Sequence, residues 1–214
     1  MNEEKWEQVK ELFHQAQALP AEDRMDLDGS NVKQLTNGDR EILASFSPDG
    51  KWVYFVTARE ERKWNTIRKV SLNGGESTMV ATAPDGWLLT GIDINKADGR
   101  LVYGLRLFSN SRQYKIGILP AKGEAKLIDI PTNFSVERPR WAPDNRTIAL
   151  MSAVEGVPGD VWSIPVDGKG KPRQLTDFRT PGTVDPRWTA DGKQLLVSRG
   201  TSMRNPVLIR NSGN

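Results

Sequence analysis

Four copies of one turn, almost evenly spaced, constrain the fold of this chain more than any other feature. Ser45 to Phe55 reads SFSPDGKWVYF, and related strings recur as DINKADGRLVYG, RWAPDNRTIAL and RWTADGKQLLV. Their aspartates are Asp49, Asp98, Asp144 and Asp191, separated by 49, 46 and 47 residues. A large apolar residue precedes each turn (Phe46, Ile94, Trp141, Trp188) and a basic one follows it (Lys51, Arg100, Arg146, Lys193). Asp-Gly and Asp-Asn tolerate the positive φ that tight hairpin turns require. The aspartate can also accept hydrogen bonds from the amides of its own turn. These four aspartates are therefore read as structural turn residues, and the apolar residue before each as one packed between units. The second copy lacks Ser-Pro and carries an extra residue, which predicts an irregular first strand there.

Two further markers keep register with the turn. About 20 residues after each aspartate come TIRKVSLNGG, YKIGILPAKG, DVWSIPVDGKG and NPVLIRN. Short edge-like segments follow: STMVA, AKLIDI and PRQLTD, with a fourth, VKQLTN, ahead of the first full unit at 32–37. Each unit thus supplies four short strands in about 47 residues, the size of a propeller blade. The expected fold is all-β: a four-bladed β-propeller of four-stranded antiparallel blades over 26–214, with repeats near 38–80, 86–128, 134–176 and 182–214. Residues 32–36 are expected to complete the last blade and close the ring. Closure implies a monomer. An open arc implies exposed edges and a homodimer.

Residues 3–19 carry a different period. Trp6, Val9, Phe13 and Ala16 recur at spacings of three and four, Asn2 caps, and Pro20 ends the run. Residues 1–25 are read as one amphipathic α-helix and a linker. Of the 30 Lys and Arg and 27 Asp and Glu, this segment holds three basic and six acidic, leaving 27 minus 21, or +6, scattered over the rest. No basic run marks a nucleic-acid face. There is no cysteine, and His14 is the one histidine. No apolar stretch reaches bilayer length and no basic-apolar leader opens the chain, so the default compartment is the cytoplasm.

Ser-Pro-Asp-Gly-Lys, the aromatic before it and the Gln-Leu-Thr at 34–36 and 174–176 resemble the WD40-like or TolB-like propeller repeat, often called PD40. The likeness covers about residues 26–214. Residues 1–24 separately resemble the leader of large bacterial serine/threonine kinases whose C-termini carry such repeats, and the chain's last 40 or so residues resemble the close of those proteins. The kinase domain between them has no counterpart: Asp177-Phe178-Arg179 lacks the glycine of a metal-binding Asp-Phe-Gly. That resemblance implies a sensor propeller of a signalling kinase, periplasmic in such proteins.

Other chemistry finds little support. The turn aspartates could bind calcium or glycans, but their spacing differs from a sialidase-type Asp-box. Gly74-Gly75 lacks a phosphate-loop context. Gly200-Thr201-Ser202-Met203-Arg204 ends in arginine where a nucleophile elbow has glycine, and a lone histidine leaves no triad. No metal site and no cofactor is expected. A central opening could still admit a small ion. The expected function is non-catalytic: binding of a protein or peptide by one face of the ring. The candidate contacts are Arg59, Arg62 and Trp64 in the first unit, Arg112 and Tyr114 in the second, and Arg138, Arg140 and Arg187 approaching the inner strands. Arginine and tryptophan are enriched in binding hot spots.

Overall fold

In the computed structural model the alternating runs form antiparallel hairpins, repeated unit by unit. The structure describes residues 23–24, 28–36, 41–59, 63–131, 133–152, 159–167, 169–179, 183–189 and 191–200. The expected N-terminal helix over 3–19, the kinase-type leader, Arg62 and the last repeat's strand at 205–211 lie outside them.

A two-residue pair comes first, β1 (Asp23–Arg24) with β2 (Lys33–Gln34). The first four-stranded sheet is β3 (Glu41–Phe46), β4 (Trp52–Arg59), β5 (Lys63–Ser71) and β6 (Thr78–Thr82). The second is β7 (Trp87–Ile94), β8 (Leu101–Leu107), β9 (Asn110–Leu119) and β10 (Lys126–Ile130). The third is β11 (Phe134–Trp141), β12 (Thr147–Ser152), β13 (Val161–Pro165) and β14 (Arg173–Gln174). A fourth pair, β15 (Thr183–Trp188) and β16 (Leu195–Gly200), ends the described chain. Every strand pairs antiparallel with its sequence neighbour, a set of meanders and no helix among the described residues.

Each turn uses its aspartate in the same way. The Oδ1 atoms of Asp49, Asp98, Asp144 and Asp191 accept from the backbone N–H two residues on, at 3.1, 3.0, 2.8 and 3.1 Å. The residue after each aspartate has positive φ: Gly50 at 66°, Gly99 at 73°, Asn145 at 56° and Gly192 at 69°. The extra residue of the second copy is absorbed by the turn and not by the strand. Gly99 N bonds Asn95 O, four residues back, where Gly50, Asn145 and Gly192 bond three back. The Asn95 side chain takes up the slack by accepting from Ala97 N at 2.9 Å. The irregularity expected of β7 alone is shared: register shifts interrupt β3, β7 and β11 alike.

The sheets pack face to face in series. Val56 and Ile67 of the first meet Leu89, Ile92, Ile94, Tyr103 and Leu105 of the second. Val102, Ile116 and Ile118 of the second meet Trp141, Ile148 and Leu150 of the third. Smaller clusters lie at both ends. Ala149, Val161 and Leu175 meet Leu195 and Val197, and Leu35 meets Val53, Phe55 and Val70. Glycines set the closest approach. A Cβ on Gly91 would fall 2.5 Å from Arg138 Cα, so the inner strands β7 and β11 touch backbone to backbone. Their contact is tied by Thr90 Oγ1 donating to Val136 O, Arg140 Nη1 to Ile92 O and Trp141 N to Asp93 Oδ2.

One expectation needs correction. Ile94 and Trp141 are each 6% exposed, but Phe46 is 61% exposed. Each such residue packs on the sheet before its own, and among the described residues nothing covers the first sheet on that side at Phe46. Gln-Leu-Thr at 34–36 lies on the face of the first sheet through Leu35. Its strand partner among the described residues is β1, and the last unit's strand at 205–211, which it was expected to join, lies outside them.

Candidate functional site

The first strands of successive sheets, β3, β7, β11 and β15, pack in sequence against one another, and there the repeat register places charge. The residue just before the packed apolar position is Ser45, Asp93, Arg140 and Arg187 in the four units. A carboxylate in the second unit thus adjoins a guanidinium in the third. The positive φ of Arg138, 58°, sits at the β11 irregularity and turns its side chain out of the strand's ordinary alternation.

Three arginines converge on one carboxylate. Arg138 Nη1 lies 3.2 Å from Asp185 Oδ2, Arg187 Nη2 lies 3.5 Å from the same oxygen, and Arg140 Nη2 lies 3.7 Å from Oδ1. Arg140 is buried while the side chains of Arg138 and Arg187 are 54% and 51% exposed. Burial pushes the Arg140 guanidinium below its usual range, opposed by Asp93 and Asp185. Burial likewise pushes the Asp93 carboxyl up, opposed by the Trp141 amide and by Arg140. Arg140 therefore acts as an internal strut whose charge is balanced within the fold. Arg138 and Arg187 are different. Among the described residues, one of their ten N–H donors makes a hydrogen bond, from Arg138 to Asp185.

The remaining candidate contacts do not join this cluster. Trp64 is half-buried and packs on the core between the first two sheets. Tyr114 is buried in the core of the second and third, and its hydroxyl donates to Glu137 Oε1 at 3.3 Å. Arg112 is an exposed residue of β9, its amide bonded to Asn110. Arg59 ends β4. The turn aspartates sit apart at the hairpin tips, bonded to their own turns. Asp93 escaped sequence reading, although its place in the register beside Arg140 and Arg187 carried the signal. Among the described residues no group of three or more His, Cys, Asp and Glu is placed to hold a metal ion, and no helix is long and apolar enough to cross a membrane.

No family model matches the chain. A curated protein, the uncharacterized peptidase YuxL of Bacillus subtilis, is 40% identical over 60 residues, 28% of this chain and 9% of that protein. Solved structures match more broadly. TolB from Acinetobacter baumannii superposes with a TM-score of 0.65 at 18% identity, covering 88% of this chain and 46% of that one. An oligogalacturonate lyase in complex with manganese gives 0.64 at 19%, covering 82% and 51%. A TolB-like protein from Agrobacterium tumefaciens gives 0.61 at 18%, covering 82% and 64%. The chain thus spans about half the length of the first two of these structures and a small part of the peptidase. The fold shared by all three is the TolB-like β-propeller, and the described sheets of this chain follow it.

Proposed function

We propose that this chain is a non-catalytic propeller scaffold that holds a protein or peptide partner against one face of its ring. The observation that carries the reading is the pair Arg138 and Arg187, half-exposed at the inner strands, with one of their ten donors hydrogen-bonded to Asp185 and a second within ion-pair distance of it. Arginine forks presented this way suit recognition more than internal support, since a purely structural arginine is sealed as Arg140 is. On this reading the four units form four blades. Lyase and peptidase activity belong to the similar proteins so named.

The test is capture of a partner from a lysate of the source cells by immobilised chain, comparing wild type with Arg138→Ala/Arg187→Ala. At least a tenfold loss of a specific captured protein, with an unchanged thermal midpoint, supports the scaffold. Equal capture by the double variant removes this face from the binding surface. Turnover of peptides or pectate fragments by the pure chain above background, lost in no control, overturns the non-catalytic reading.

A further inference from the structure

We infer that the axial arginines form a carboxylate-binding subsite whose affinity is held down by the chain's own Asp185. The inference rests on the scaffold reading above and names the chemistry of its partner: an acidic peptide segment.

Asp185 shows what the cluster accepts. Its carboxylate is met by three guanidiniums at 3.2, 3.5 and 3.7 Å. One oxygen, Oδ1, is buried without a hydrogen bond, so the internal carboxylate is held by charge more than by matched donors. Counting Arg138, Arg140 and Arg187 against Asp185 and Asp93, the two carboxyls that act on Arg140, leaves a surplus of one positive charge. The surplus is carried by the two half-exposed side chains. An incoming carboxylate can take their open forks side-on, the geometry arginine favours.

Asp185 repels any incoming anion in proportion to that anion's charge, just as the arginines attract it. The same repulsion makes Asp185 an internal competitor. It occupies the forks from within and weakens any external anion.

The probe is an acetylated, amidated hexaglutamate peptide titrated into the full chain, with inorganic phosphate as the comparison ion, at low and high salt. The wild type is expected to bind hexaglutamate more tightly than phosphate and to lose affinity as salt rises. Asp185→Asn is expected to tighten hexaglutamate binding at least about fivefold. Arg138→Gln and Arg187→Gln are each expected to weaken it at least about tenfold. Unchanged or weaker binding by a folded Asp185→Asn overturns the competitor role. Phosphate binding as tightly as hexaglutamate overturns the carboxylate class. If Asp185→Asn does not fold, the half-exposed Arg187→Gln decides: undiminished affinity overturns the subsite. A partner captured by the wild type and not displaced by hexaglutamate overturns this inference while the scaffold reading stands. Hexaglutamate binding with no partner captured does the reverse.

Discussion

At the scale of single residues, Asp144 shows how much one carboxylate does for a turn. It accepts from Arg146 N, Thr147 N and Thr147 Oγ1 within 3 Å. Burial pushes its carboxyl up, but those three donors together outweigh it and hold the group below its ordinary value. Asp49 and Asp191 are held low by the hydroxyls of Ser47 and Thr189 and then by their i+2 amides. A depressed carboxylate contributes stability that is present above its unfolded value and lost as pH falls through the folded one. Stability should therefore drop below about pH 3.8, the ordinary value for these groups. Asp93, raised by burial, has the opposite sign and gains as pH falls. Asp144→Ala is expected to cost about 1 kcal/mol, with a visibly flatter acid limb in urea titrations from pH 5 to about 2.5. Asp144→Asn, which keeps an acceptor, should lose roughly half as much. Gly50 sits at positive φ with open space around it, so Gly50→Ala should cost about 1 kcal/mol of backbone strain alone, read as a lower urea midpoint. All four turns were legible in the sequence because Asp-Gly and Asp-Asn report a local backbone need. Phe46 was misread because its burial depends on a neighbouring sheet, which no local pattern encodes.

Among the elements, the contact between β7 and β11 is the firmest joint described. Two glycines make it possible: Gly91 faces Arg138 and Pro139, and Gly104 faces Thr90 and Val136. Backbone atoms on the far side cannot step aside. Gly91→Ala is therefore expected to destabilise by about 2 kcal/mol or more, measured by chemical unfolding, whereas an alanine at Gly99 meets no neighbour and suffers only its positive φ. The arginine cluster depends on the same joint, since Arg138 and Arg140 leave β11 on either side of Pro139. The sequence announced arginines on the inner strands, and their common target, Asp185, was visible there only as one more charge. Which of them would be sealed and which left open was set by packing between sheets. Tyr114 makes the same point. It reads as a loop-face aromatic, yet a core shared by two sheets encloses its ring.

For the whole molecule, the question of closure turns on Leu35. It is buried against Val53, Phe55 and Val70, where the outer strand of a preceding sheet would lie. Leu175 meets Leu195 and Val197 in the corresponding way at the other end. Leu35→Ala should cost about 2–3 kcal/mol by thermal or urea unfolding. Deleting 30–37 should lower the midpoint further if the segment completes a ring. A molar mass in light scattering equal to one chain fits four blades closing on themselves, and twice that mass fits two arcs joined through the Phe46 side.

The serial packing of sheets has one more consequence. Among the described residues, the two large cores flank the second sheet, and the clusters beyond them are small. In an open arc, cohesion that passes only between adjacent units behaves like a line of coupled spins, in which the end members flip first. Amide protons of β8 and β9 should exchange slowest, through nearly global opening, and those of β15 and β16 fastest, through fraying. Deuterium uptake would then trace a gradient along the chain, with Arg138 and Arg140 of β11 on its slope and Arg187 near its foot.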